Sequence, residues 1–178
     1  MKNSDVFIRS ARWEDRTEIK ILHRKVAAQG GGIIHTPSEI TDEYIDSFME
    51  ESIRNGLILV MENPLHAGII WAEVHAYKYP VKAFDHILGD LTIVVHPLRQ
   101  GKGLGKELIR HFLNKIKNSY PNILRVELFV RENNLTSVKF YQKVGFKKEG
   151  KFINRIKNQD GSFETPLPMV WLNSNYQG

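Results

Sequence analysis

A nearly unbroken apolar strand, Leu88–His96, runs through Pro97 into a glycine-rich loop and from there directly into an amphipathic helix. The helix, expected over Gly103–Asn118, carries Leu104, Leu108, Ile109, Phe112 and Ile116 along one face, and a second strand, Ile123–Arg131, follows it. This passage constrains the fold more than any other. A strand, a crossover helix and a second strand demand a parallel pair, because a tight hairpin cannot join parallel strands. A strand that is apolar throughout belongs in the middle of a sheet, covered on both faces. Pro97 ends it, since proline has no N–H to give to the ladder.

The rest of the chain suits antiparallel hairpins. Val6-Phe7-Ile8 reads as a short strand and Ser10–Ala28 as a helix, with Ser10 or Asp15 as its cap and Ile19, Leu22 and Val26 on one face. Gly30-Gly31-Gly32 breaks that helix, and a second is expected over Ser38–Ile53. Strands Leu57–Met61 and Gly68–Tyr77 flank a turn at Asn63-Pro64. The second alternates: Ile70, Ala72, Val74 and Ala76 form an apolar face, while Trp71, Glu73, His75 and Tyr77 share the other. A helix over Asn134–Lys143 and strands over Phe146–Ile156 and Pro168–Leu172, joined by a turn at Asp160-Gly161, complete the reading. The expected fold is α/β (α+β): a mixed, mostly antiparallel central sheet flanked by helices, in the order β-α-α-β-β-β-α-β-α-β-β. At 178 residues the chain fits one domain with a substantial core.

The chain has no cysteine, which excludes disulfides, thiolate catalysis and zinc held by thiolates, and no metal is expected. Met1-Lys2-Asn3-Ser4-Asp5 leads in without an apolar signal stretch, and no segment has the length of a membrane span, so a cytoplasmic location and no membrane partner are expected. The formal charge of +5 favours an anionic partner. Basic residues gather at Arg99, Lys102, Lys106 and Arg110 and again over Lys147–Lys157. A phosphorylated cofactor accounts for the first group more economically than nucleic acid does.

In the loop Gln100-Gly101-Lys102-Gly103-Leu104-Gly105-Lys106, glycines let the backbone turn and approach a ligand closely. The helix start aims unpaired N–H groups and a positive dipole end at the same spot, with Lys102 and Lys106 beside it. A Walker A loop fails here, because only three residues separate Gly101 from Gly105 and Glu107 follows Lys106. The G-x-G-x-G spacing also fits a dinucleotide fingerprint poorly. A bland alternative is a glycine-rich turn that only caps a helix.

Gln100–Gly105, preceded by Val95-His96-Pro97, resembles the pyrophosphate loop of the GNAT superfamily of N-acetyltransferases. About thirty residues on, Asn134-Leu135-Thr136-Ser137-Val138-Lys139-Phe140-Tyr141-Gln142-Lys143-Val144-Gly145-Phe146 is similar to that family's N-x-x-A-x-x-[LF]-Y-x-x-x-G-F segment, with Ser137 in place of the usual alanine. The resemblance is strong over about Leu88–Gly150. It implies acetyl-CoA as cosubstrate, entering between strands that splay apart: Ile93, Val94 and Val95 beside the pantetheine arm, amides of Gln100, Gly101, Lys102, Gly103, Leu104, Gly105 and Lys106 around the pyrophosphate, and Asn134 on the pantetheine or capping its helix. It implies Tyr141 as the acid that protonates the departing thiolate. A phenol of ordinary pKa near ~10 is protonated at neutral pH and able to do this, although from the helix alone Tyr141 also reads as a core residue.

For the base, Asp90 is the first candidate and Glu73 the second; the Trp71–Tyr77 row either walls an acceptor pocket or forms a solvated outer face. His96 reads as flanking the loop. Relatives build the acceptor pocket from regions matching Ala28–Glu39, Glu73–Asp90 and Asn154–Pro168, where His35, Glu73, Asp85 and Asp90 fall. The expected acceptor is a small-molecule amine or a peptide N-terminus. The alternatives are an acyl-CoA-binding regulator without catalysis and a nucleic-acid module. A homodimer through Phe152, Phe163 and Trp171 is a further possibility, unless these residues are intramolecular core.

Overall fold

A computed structural model describes residues 6–30 and 32–178; the first five residues and Gly31 lie outside it. Strand β1 (Phe7–Ser10) is followed by a 3-10 turn (Trp13–Asp15), then helices α1 (Arg16–Gln29) and α2 (Asp42–Asn55). Strands β2 (Gly56–Glu62), β3 (Ile70–Lys78) and β4 (Ile87–Val95) come next, then α3 (Leu104–Ser119), β5 (Arg125–Arg131) and α4 (Leu135–Lys143). The chain ends in β6 (Lys147–Lys148), β7 (Ile156–Lys157), β8 (Phe163–Glu164) and β9 (Pro166–Leu172). The main sheet is ordered β1-β2-β3-β4-β5-β9-β6, and β7 and β8 form a separate hairpin. Every pairing is antiparallel except β4 with β5, the pair the crossover helix requires.

The sheet is covered on both faces. Leu108, Ile109, Phe112 and Ile116 of α3 bury against Leu59, Met61 and Val74. On the other face, Ile19, Leu22 and Val26 of α1 and Ile45, Phe48 and Met49 of α2 bury against Ile58, Val60 and Val94. At roughly 25 cal/mol per Å² of apolar surface removed from water, these two layers supply the dominant stabilisation.

Three element boundaries differ from expectation, each for a local reason. α1 starts at Arg16 because Ser10 is still paired in β1, opposite Leu59. Asp15 does not cap the helix with its side chain; its carboxylate takes the Arg12 N–H at 2.7 Å and the Arg9 guanidinium at 2.6 and 2.7 Å. α2 starts at Asp42 because Thr41 caps it, accepting the Tyr44 N–H at 3.2 Å, while Thr36–Glu39 closes a turn of its own. The strand expected over Phe146–Ile156 breaks into β6 and β7. Its partner β9 carries Pro166 and Pro168, whose carbonyls accept from Phe152 and Glu149 but which offer no N–H in return. The ladder beyond Lys148 is therefore one-sided.

Of the aromatic residues considered for a dimer face, Phe163 is exposed, Phe152 packs on Phe129, and Trp171 packs against the core. Among the described residues no helix is long and apolar enough to cross a membrane.

Candidate active site

The glycine loop is held at the end of β4 by its own residues. His96 accepts the Leu98 N–H through Nδ1 at 3.3 Å, capping a 3-10 turn at Pro97–Arg99. Gln100 Nε2 donates to the Val95 carbonyl at 3.0 Å and to the Gln29 side chain at 3.1 Å, tying the loop to β4 and α1. Arg99 lies over the Trp71 ring, 4.0 Å from its centroid. Gly101 and Gly103 have φ of 72° and 84°, a left-handed backbone that other residues enter only with strain, and Gly103 is the N-cap of α3. The first-turn amides of α3 have no partner within the helix and point into a cavity of about 820 Å³.

That cavity is lined by Ile93, Val95, Gln100, Gly101, Gly103, Leu104, Gly105 and Lys106 on one side. Asn134, Thr136, Lys139, Phe140, Tyr141 and Lys143 line the other. Two expected residues are not brought there. Val94 points the opposite way along its strand and is buried under α1 and α2. Lys102 turns its ammonium onto the Leu98 carbonyl at 3.1 Å.

β4 and β5 pair only at Ile87–Arg125 and Leu88–Val126. The cause is a bulge immediately downstream. Opposite β3 the register shifts between His75 and Tyr77, and Asp90 takes φ of 52° to accommodate the extra backbone. The strands part from there, so their facing edges are no longer paired with each other. A second cavity of about 370 Å³ occupies this gap and shares Ile93, Asn134, Ser137 and Tyr141 with the first.

Tyr141 therefore stands where the two cavities meet. Its ring packs at angles on Phe140 and Phe146, and burial pushes its hydroxyl pKa above the ordinary phenol range, so the group is neutral. Asn134 Oδ1 accepts the Ser137 N–H at 3.0 Å and so caps the helix that presents Tyr141.

The smaller cavity collects side chains from all three of the segments expected to form an acceptor pocket. His35 packs at a tilt on Tyr44 with ring centroids 4.4 Å apart, and burial lowers the His35 pKa. The Tyr77 hydroxyl donates to Asp90 at 3.3 Å; burial first, then the Asp90 charge, push that phenol up to about 12. Arg131 faces the same space but is paired with Glu164 at 2.8 Å. Ile156 and Pro166 close the wall from the C-terminal segment. Asp85 does not line the cavity.

The reading of Trp71, Glu73, His75 and Tyr77 as one solvated or pocket-lining row needs correction. Glu73 and His75 are buried against α1 and α2, Trp71 is buried in the core layer of α3 instead, and of the four only His75 and Tyr77 reach the cavity. Glu73 is fully buried between two imidazoles: His23 Nε2 lies 2.8 Å from Oε2, and His75 Nδ1 lies 2.9 Å from Oε1. Burial alone would raise the Glu73 pKa, but the His75 and His23 contacts outweigh it and hold the carboxyl below its usual range. The donor atoms of the three residues lie within 4.8 Å of one another, but both carboxylate oxygens already accept direct hydrogen bonds. His23 is the participant that sequence reasoning missed. The available signal was its place beside Leu22, on the buried stripe that also holds Ile19 and Val26, where a titratable group needs a partner.

The model of the acetyltransferase (GNAT) family matches residues 40–146. A GNAT-family acetyltransferase from Streptococcus pneumoniae superposes with a TM-score of 0.75 at 25% identity, covering 94% of this chain and 99% of that one. A protein from Salmonella typhimurium, solved with its cofactor acetyl-CoA, gives a TM-score of 0.82 at 17% identity, with 98% of each chain covered. A spermidine N-acetyltransferase chimera built from Vibrio cholerae and human sequences gives 0.75 at 20% identity, covering 97% and 98%. No curated protein sequence matches the chain significantly.

Proposed function

The chain belongs to the GNAT family of acetyl-CoA-dependent acetyltransferases, and we propose that it acetylates the primary amine of a small molecule, with Tyr141 as the general acid. The observation that carries this reading is the meeting of the two cavities at Tyr141. The larger suits an anionic, extended cosubstrate. Its α3 amides and left-handed glycines form a cradle for a pyrophosphate, and the parted edge at Ile93 and Val95 offers a strand for an amide-bearing arm. Acetyl-CoA supplies the thioester there. The smaller cavity, at about 370 Å³, lies at the low end of small-molecule sites, which favours a compact amine over a peptide N-terminus.

The neutral Tyr141 hydroxyl donates its proton to sulfur as the C–S bond breaks, and a proton from the newly acylated nitrogen restores the phenol. Asp90, the exposed carboxylate at the cavity rim, draws the cationic amine in and is held in place by Tyr77. Thiol release from acetyl-CoA across a panel of polyamines, amino acids, aminoglycosides and short peptides tests the reading. Turnover with at least one small amine, at a rate well above that with peptides, is expected. Tight CoA binding with no transfer to any acceptor would favour a binding regulator instead, and preferential turnover of peptides would overturn the small-molecule assignment.

A further inference from the structure

We propose that His75 takes the proton from the incoming amine through its Nε2, with Glu73 and His23 behind it as positioning residues; this rests on the acetyl-transfer reading above.

Glu73 is an ionised carboxylate buried between two imidazoles. It only accepts hydrogen bonds, so both imidazole nitrogens facing Glu73 must carry hydrogen: Nδ1 of His75 at 2.9 Å and Nε2 of His23 at 2.8 Å. With Nδ1 protonated, a neutral His75 has its lone pair on Nε2. His75 is also the member of this cluster that lines the cavity shared with Asp90 and Tyr141. Its ring is held by parallel stacking on Phe48, at 4.0 Å and 10°, and on Tyr77, at 6.4 Å and 10°. The nucleophile's proton acceptor thus has a fixed tautomer and a fixed plane.

Charge supplies the driving force. His23 Nδ1 is buried without a hydrogen-bond partner among the described residues, while Glu73 brings a negative charge into the same buried cluster. A proton arriving at His75 Nε2 makes an imidazolium beside that carboxylate and offsets its charge, which a low-dielectric site favours. The titratable groups in contact with His75 are His23 from α1 and Glu73 and Tyr77 on its own strand, and its cavity is also lined by Tyr44 from α2, Asp90 on β4 and His35 from the segment before α2. No lysine or arginine stands among them, and Arg131, on the same cavity, is neutralised by Glu164.

One proton leaves the ammonium nitrogen for His75 Nε2, directly or through one water, freeing the nitrogen lone pair. The C–N bond forms and the C–S bond breaks; sulfur takes the Tyr141 proton, and the acylated nitrogen returns one to the phenolate. His75 then releases its proton to solvent, so one proton leaves per turnover.

The test is the pH profile of kcat/KM for wild type, His75→Gln, Glu73→Gln and Asp90→Asn, with CoA affinity measured calorimetrically for each. His75→Gln is expected to lower kcat about 100-fold with unchanged CoA affinity and to abolish the acidic limb of the profile. Glu73→Gln should lower kcat about tenfold and move that limb to lower pH, because a neutral amide no longer stabilises the imidazolium. In Asp90→Asn the limb should stay. A His75→Gln enzyme within threefold of wild type, or a limb lost only in Asp90→Asn, would overturn the assignment while leaving acetyl transfer intact. A wild type that turns over no amine would overturn both. Where a variant loses CoA binding through misfolding, nitrogen-15 NMR of wild-type imidazoles decides: protonated Nδ1 and bare Nε2 at His75 are required, and the opposite tautomer excludes the proposal.

Discussion

The two halves of the cleft are built in opposite ways. The cofactor half is nearly contiguous: Gln100–Lys106 and the α4 residues Thr136–Lys143 supply most of its lining, and its key groups are backbone amides. The amine half gathers side chains from scattered segments: His35 before α2, Tyr44 and Phe48 on α2, His75 and Tyr77 on β3, Asp90 on β4, Arg131 on β5 and Ile156 near the C-terminus. The difference follows from the ligands. A phosphate can be held by one turn of backbone at a helix start, a local structure that a short motif specifies. Deprotonating an amine needs a few titratable groups at defined positions, and only a complete tertiary fold brings those together.

Substitutions should therefore separate the halves. The largest effect belongs to the junction: Tyr141→Phe should lower kcat by about 10²–10³-fold with CoA affinity unchanged, measured by thiol release and calorimetry. An undiminished rate would remove Tyr141 as the acid. Next comes Gly103→Val. A β-branched residue relaxes the free loop away from φ 84°, and restoring that conformation on binding costs about 2 kcal/mol, so CoA affinity should weaken roughly 30-fold, while the amine KM stays within about twofold. A matching rise in the amine KM would show that the two halves are not independent.

The anchor of α1 gives a smaller effect, on stability. Asp15 accepts two bonds from Arg9, which also binds Glu62, and α1 carries His23 to the amine half. Asp15→Asn should cost about 1.5 kcal/mol in urea unfolding. Burial alone would raise the Asp15 pKa, but Arg9 and the Arg12 amide hold it below the ordinary carboxylate value. A depressed folded pKa stabilises above the unfolded value near ~3.9 and loses that stability as pH falls through the folded one. The urea midpoint should fall between about pH 5 and pH 3 in wild type, and less steeply in Asp15→Asn. The smallest effect is that of Asp90→Asn on amine binding: a rise in the amine KM of up to about fivefold, shrinking at high salt as expected for an exposed charge.

Much of the cofactor half was legible because its determinants are local. The spacing of Gln100, Gly101, Gly103 and Gly105 and the Asn134–Tyr141 segment are each fixed within one turn of structure. Even there, Val94 and Lys102 were misplaced: the first by strand alternation, the second because a flexible side chain found the Leu98 carbonyl. On the amine half, Glu73 was a candidate for the wrong reason. The alternation of β3 holds over Ala72–Tyr77, whereas Ile70 buries with α1 and α2 and Trp71 with α3, and alternation says nothing about which face another element will cover.

The sequence by itself determined the parallel pair around a crossover helix, the anion-binding turn at Gln100–Gly105 and the helix that presents Tyr141. Each depends on periodicity or on backbone freedom within a few residues. Only the tertiary structure decided where β4 and β5 part, because that follows from a bulge at Asp90 set against β3. Only it joined His23 to Glu73, which lie fifty positions apart. A buried carboxylate needs partners wherever the chain can supply them, and packing α1 against the sheet supplied one.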